Sequence, residues 1–296
     1  VNGKKTLLIV LIAACYLAFL CSGAWAWQAN INGTANGDDA ANAAAVDAAG
    51  NVVAAGSTFN TGTGFDFTVI KFDGSSGAVL WSQAINGTAN GSDQAVAVAV
   101  DGEGNVVAAG STFNTGTGFD FTVIKFDGSS GAVLWNQAIN GTADGSDQAV
   151  AVAVDGEGNV VAAGSTANTG TGADFTVIKF DGSSGAVLWS QAIDGTANDD
   201  DRADAVAVDG EGNVVAAGVT INTGTGLDFT VVKFDGSSGA VLWSQAINGT
   251  ANDDDRADAV AVDGEGNVVA AGSTANIGTF DDFTVVKLRG IDGGDF

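Results

Sequence analysis

Five aspartates, Asp39, Asp93, Asp147, Asp201 and Asp255, recur at intervals of 54 residues, each just ahead of a run of small and β-branched residues. Carboxylates gathered near one channel mouth would attract a cation. The competing use of such an aspartate is to cap its own turn by accepting backbone N–H groups. The densest set of hard oxygens is Asn252-Asp253-Asp254-Asp255-Arg256-Ala257-Asp258, with a copy at 198–204. Calcium takes about six to eight such oxygens, so Asn252, Asp253, Asp254, Asp255 and Asp258 form a candidate calcium site. Two features count against it: the D-x-D-x-D-G spacing is missing, and Arg256 can pair with an aspartate. A solvated acidic loop is the alternative.

Other chemistry is excluded or weak. The chain has no histidine, which removes Ser-His-Asp triads, Cys-His pairs and imidazole metal ligands. Two carboxylates would suffice for a glycosidase, but nothing in the sequence separates an acid from a base. Near-identical units supply copies of one environment, which suits multivalent binding better than catalysis. Lys71, Lys125, Lys179, Lys233 and Lys287 sit in the middle of apolar runs and are expected to pair with a neighbouring aspartate or to extend to the rim. Asp101-Gly102-Glu103-Gly104-Asn105 and its copies read as tight hairpin turns. Phe59, Phe65, Phe113 and Phe119 occur only in the first two units and mark the largest departure from regularity, hence a candidate partner surface.

The elements that must position these residues follow from the repeat. Trp27, Trp81, Trp135, Trp189 and Trp243 are spaced by 54, and residues 81–134 and 135–188 differ at four positions. Each unit holds four short alternating runs bounded by Gly, Asn and Asp; in one unit these are 95–101, 105–111, 120–126 and 132–139. No window has a helical period. Four strands per unit and five units predict an all-β fold: a five-bladed β-propeller of four-stranded antiparallel blades. The tryptophans are expected to pack between blades, with sugar-binding platforms as the alternative. Residues 27–32 match a fourth strand and residues 257–289 match the first three, so the N-terminal strand is expected to complete the last blade and close the ring.

The first 26 residues differ in kind. Lys4 and Lys5 precede an apolar run from Leu7 to Leu20, followed by Ala24-Trp25-Ala26. This is the pattern of a secretory signal peptide cleaved after Ala26, with lipidation at Cys15 the alternative. Residues 27–296 then form the propeller, with eight cations against 35 acids and neither cysteine. That balance excludes a nucleic-acid binder. The signal-peptide pattern places the protein outside the cytoplasm of a prokaryote, secreted, periplasmic or at the cell surface, with no membrane span after cleavage.

Ala97–Gly110 followed by Asp120–Trp135 resembles the repeat of bacterial secreted β-propellers known as SBBP repeats. Asp127-x-x-Ser130-Gly131-x-x-x-Trp135 is similar to the tryptophan-docking motif of quinoprotein-type propellers, which is structural and does not bind the quinone. Neither resemblance implies a reaction. The expectation is a non-catalytic binding or scaffold module for carbohydrate or surface-protein ligands, with no cofactor except calcium. A monomer is favoured over a filament built by donating strand 27–32 to a neighbour.

Overall fold

The computed structural model describes residues 27–294. The signal segment 1–26, Cys15 and the cleavage position lie outside the described residues. Each repeat forms an antiparallel sheet, because its alternating runs are joined by short hairpin turns; in the first sheet Gly91–Ser92 adds a short parallel pairing to the third strand. The first blade has strands Ala40–Val46, Val52–Asn60, Gly64–Phe72 and Val79–Ile85, paired in that order. The second has Gln94–Val100, Val106–Asn114, Gly118–Phe126 and Val133–Ile139; the third Gln148–Val154, Val160–Asn168, Gly172–Phe180 and Val187–Ile193. The fourth has Arg202–Val208, Val214–Asn222, Gly226–Phe234 and Val241–Ile247. The fifth holds three strands, Arg256–Val262, Val268–Asn276 and Phe280–Leu288. Successive blades pack face to face, with their first strands against one another, in a propeller-like array.

Period-two alternation decides what each face touches. In the second blade Val106, Ala108, Ile124 and Phe126 face the first blade, where they meet Val53, Phe67, Val69 and Trp81. Val107, Ala109, Phe121 and Val123 face the third blade and meet Val160, Ala162, Ile178 and Phe180. The same interleaving recurs at the next two junctions. Among the described residues the core is therefore four apolar interfaces between sheets.

Two polar ties reinforce each interface and converge on one carbonyl. Trp81 Nε1 and Lys71 Nζ both donate to Gly128 O of the next blade, at 3.2 and 2.7 Å. Lys71 Nζ also pairs with Asp47 Oδ2 of its own blade at 2.8 Å. Lys125, Lys179 and Lys233 repeat this with Asp101, Asp155 and Asp209, each at 2.8 Å. Lys71, Lys125, Lys179 and Lys233 are thus buried cross-links between blades, whereas Lys287 pairs with Asp263 of its own blade and is half exposed. Trp81, Trp135, Trp189 and Trp243 are each 7 % exposed. The docking turn explains the spacing of the motif. Asp127 Oδ1 accepts from the backbone N–H and hydroxyl groups of Ser129 and Ser130. Gly131 has φ +73°, and an added Cβ would lie 2.7 Å from the Trp81 ring.

The two ends of the array differ from the repeated interfaces. Residues 27–32 carry no strand pairing and lie along the first blade, with Trp27 Nε1 on Gly74 O at 3.0 Å and its ring 5.6 Å from that of Phe72. Strand Phe280–Leu288 pairs with Val268–Asn276 alone among the described residues. The outward face of the fifth blade is open: Phe283 is 87 % exposed, whereas Phe67, Phe121, Phe175 and Phe229 at the same position are buried.

Candidate functional site

The 4–1 loop, joining the fourth strand of one blade to the first strand of the next, shares a rim with the 2–3 hairpins. The aspartate at the end of each 4–1 loop ties this rim together. Asp93 accepts from the N–H groups of Gly87 at 2.9 Å and Phe113 at 2.5 Å. Its own N–H donates to Phe65 O of the preceding blade at 2.8 Å. One residue therefore fixes its loop, the end of the second strand in its own blade, and the third strand of the neighbour. Asp39, Asp147, Asp201 and Asp255 accept equivalent pairs of backbone N–H groups. Burial pushes the Asp93 and Asp147 carboxyls up, against the lowering effect of the backbone donors. Asp201 is pushed up to about 6 by burial, with Asp194 and Asp174 adding repulsion.

The preceding blade contributes a second carboxylate to each junction. Asp66, Asp120, Asp174 and Asp228 open the third strands and are buried. Their Oδ2 atoms accept from Asn60, Asn114, Asn168 and Asn222. Their Oδ1 atoms are buried with no hydrogen-bond partner among the described residues, as are Asn86 Oδ1 and Asn140 Oδ1 in the adjoining loops. Buried acceptors without donors are costly. The third junction goes further. Position 194 is aspartate where Asn32, Asn86, Asn140 and Asn248 stand in the other units. Asp174, Asp194 and Asp201 each bring a carboxylate oxygen within 4.8 Å of the others, the one such set of three acids among the described residues. Burial raises the Asp194 carboxyl, as does the Asp174 charge, against a hydrogen bond with Asp201.

Of the residues singled out from sequence, Asp201 lies in this cluster. Asp174 and Asp194 were missed, and the signal available was the exchange of asparagine for aspartate at 194. The acids of 252–258 are dispersed. Asp253 and Asp254 are exposed, Asp255 is buried on its two backbone donors, and Asp258 lies on the first strand of the fifth blade. Among the described residues no three of these acids bring oxygens within 4.8 Å of one another. Phe59 and Phe65 pair across the 2–3 hairpin at 4.9 Å between ring centres, and Phe113 and Phe119 at 5.0 Å. All four are half-buried, and the Phe113 ring lies over Gly91.

The rim loops are tied to the neighbouring 2–3 hairpins by hydrogen bonds. Thr88 N donates to Asn114 Oδ1 at 2.8 Å, and Thr115 N returns a bond to Thr88 Oγ1 at 2.9 Å. The largest repeated apolar exposure lies elsewhere, at the start of the outer strands. Val79-Leu80, Val133-Leu134, Val187-Leu188 and Val241-Leu242 are each about half exposed. No helix among the described residues is long and apolar enough to cross a membrane.

Comparison with known proteins adds the following. A family model described as outer membrane protein assembly factor BamB matches residues 17–219 and 67–286. No curated protein matches the chain. Among solved structures, BamB from Moraxella catarrhalis is similar at 17 % identity and TM-score 0.44, covering 89 % of this chain and 79 % of that one. Quinohemoprotein alcohol dehydrogenase from Comamonas testosteroni is similar at 13 % identity and TM-score 0.52, covering 87 % and 42 %. Sqt1 from Saccharomyces cerevisiae is similar at 11 % identity and TM-score 0.55, covering 83 % and 57 %. The chain thus spans less than two thirds of the last two proteins, and the likeness to them is one of fold.

Proposed function

The chain belongs to the family described as outer membrane protein assembly factor BamB, and we propose that it is a non-catalytic scaffold of the bacterial cell envelope that binds protein partners. The observation that carries this reading is the fourfold repetition of a half-exposed Val–Leu pair on the outer strands, at positions 79–80, 133–134, 187–188 and 241–242. Scattered apolar residues are ordinary on a surface, but the same pair presented by successive blades is a multivalent contact. The buried charged groups of the blade junctions favour a structural role over catalysis. Lysines 71, 125, 179 and 233 are buried in inter-blade ties, and Asp174 and Asp201 are too enclosed to meet a glycosidic bond. Trp81, Trp135 and Trp189 stack on Phe126, Phe180 and Phe234 of the next blade, and these three and Trp243 are each 7 % exposed, which favours a packing role over sugar platforms. The apolar segment 7–20 and Ala24-Trp25-Ala26 support export.

The ring, in this proposal, closes within one chain. Trp27 occupies on the first blade the docking position that Trp81 occupies on the second, with the same indole-to-glycine hydrogen bond. Phe283 and Val285 carry the chemistry that packs every internal junction. Bringing the fifth blade against the first would bury them, and residues 27–32 would then complete its sheet.

The binding reading is tested with a dye-labelled, urea-unfolded outer-membrane β-barrel protein diluted into increasing amounts of this protein, and with a glycan array on the same preparation. Saturable anisotropy and an array without hits are expected. Glycan binding without protein binding would overturn the reading.

A further inference from the structure

We propose that the junction between the third and fourth blades is a binding site for one hard divalent cation, calcium, held by Asp174, Asp194 and Asp201. Its geometry differs from that of the acidic loops. Asp174 comes from the start of the third strand of blade three, Asp194 from the residue after its fourth strand, and Asp201 from the residue before the first strand of blade four. Three separate segments therefore aim carboxylates at one point, with oxygens within 4.8 Å of one another.

The independent sign of a ligand is the set of oxygens without partners. Asp174 is 5 % exposed, and its Oδ2 is taken by Asn168 Nδ2 at 3.0 Å. Its Oδ1 is buried with no partner among the described residues, and so is Asp194 Oδ1. Thr171 Oγ1 is also buried without one, although Thr63, Thr117 and Thr225 in the matching position donate to their aspartates. Asp174 and Asp201 are buried and Asp194 lies toward the rim, and like charges so close repel unless something positive lies between them. Lysine does not supply it here, because Lys179 is paired with Asp155 and Gly236 O. A cation would accept the idle lone pairs and offset two of the three charges.

Carboxylate oxygen selects a hard ion. Calcium fits better than magnesium, because its coordination tolerates irregular geometry and water in the remaining positions. The other junctions keep the same architecture with one charge fewer. Asp120, Asn140 and Asp147 match Asp174, Asp194 and Asp201, and Asp120 Oδ1 and Asn140 Oδ1 are likewise without partners. The third junction is thus the strongest version of a repeated oxygen cluster.

The test is isothermal titration of calcium chloride into chelator-treated protein at neutral pH. The wild type is expected to take up one calcium ion per chain. Asp194→Asn restores the residue found at the other four junctions, so folding is preserved, and its calcium affinity falls at least about tenfold. In chelator this variant melts no lower than wild type, since it removes a charge beside Asp174 and Asp201. Asn140→Asp rebuilds the trio at the second junction and raises the stoichiometry from one to two. No uptake by the wild type, an unchanged affinity in Asp194→Asn, or a stoichiometry that stays at one in Asn140→Asp would each overturn the proposal.

Discussion

Replacing Lys125 by alanine tests the claim that the mid-strand lysines hold neighbouring blades together. Lys125 Nζ lies 2.8 Å from Asp101 Oδ2 and 2.8 Å from Gly182 O of the third blade. The two side chains are 6 % and 2 % exposed. Truncation leaves Asp101 buried beside two donors of Asn105 but without its cation, and breaking a buried pair in this way costs about 3–5 kcal/mol. An exposed pair at the same distance would be worth roughly 0.2–1 kcal/mol. At about 2–4 °C per kcal/mol for chains near this length, the expected fall in Tm is roughly 6–20 °C. Removing both charges with Asp101→Asn and Lys125→Met should recover part of the loss, because no unpaired charge remains.

The pH dependence has a defined sign. Burial raises the Asp101 carboxyl, but hydrogen bonds from Lys125 and Asn105 outweigh it and hold the group below its ordinary value. The resulting stability is fully present above the unfolded carboxylate range and is lost as pH falls through the lower, folded value. Wild type should therefore lose stability on acidification, and the Lys125→Ala variant should lose less. Differential scanning calorimetry across pH 3–8, with a check for a single transition, measures both. A Tm change below about 2 °C for Lys125→Ala, or identical pH profiles for the two proteins, would refute the assignment of a buried tie.

Three further outcomes are expected. Trp135→Phe should cost about 1 kcal/mol by urea denaturation, since it removes the indole bond to Gly182 O but keeps the aromatic contact with Phe180; Trp135→Ala should cost about 3–5 kcal/mol. Gly110→Ala should unfold or strongly destabilise the protein, because an added Cβ would lie 1.9 Å from Gln94 O; Gly102→Ala meets open space and should be neutral in a thermal melt. Light scattering should give the mass of one chain, and removal of residues 27–32 should expose the docking face of the first blade and promote association. A multimeric intact protein would instead favour strand donation between chains.

Much of the fold is legible in the sequence because its signals are local. The alternation of Val106 to Ala109 and of Phe121 to Phe126 announces strands with two buried faces, and the Asp127–Gly131 turn announces the docking of a tryptophan from the preceding blade. The one-per-unit tryptophan and lysine mark the contacts between sheets, although the shared carbonyl acceptor, Gly128 O, is invisible without coordinates. The candidate site was less legible. Asp201 stands out by its 54-residue spacing, but Asp174 and Asp194 reach it from the preceding blade, and no spacing rule links a third-strand residue to the next blade's loop. Density of acids along the chain pointed instead to 252–258, where turn geometry spreads the carboxylates apart. Residues 27–32 carry no strand pairing, and the proposed closure with the last blade would likewise be a long-range property. The docking of Trp27 on the first blade is consistent with it.

The scaffold reading is tested most directly by anisotropy titrations of the labelled, unfolded β-barrel protein against variants carrying Leu→Ser at position 80, then at 80 and 134, and finally at 80, 134, 188 and 242. Each leucine is about half exposed, so the substitutions should leave the melting temperature nearly unchanged. The account predicts affinity that weakens with every blade altered and falls more than about tenfold when all four are changed. Binding that is unaffected by the full set would contradict it.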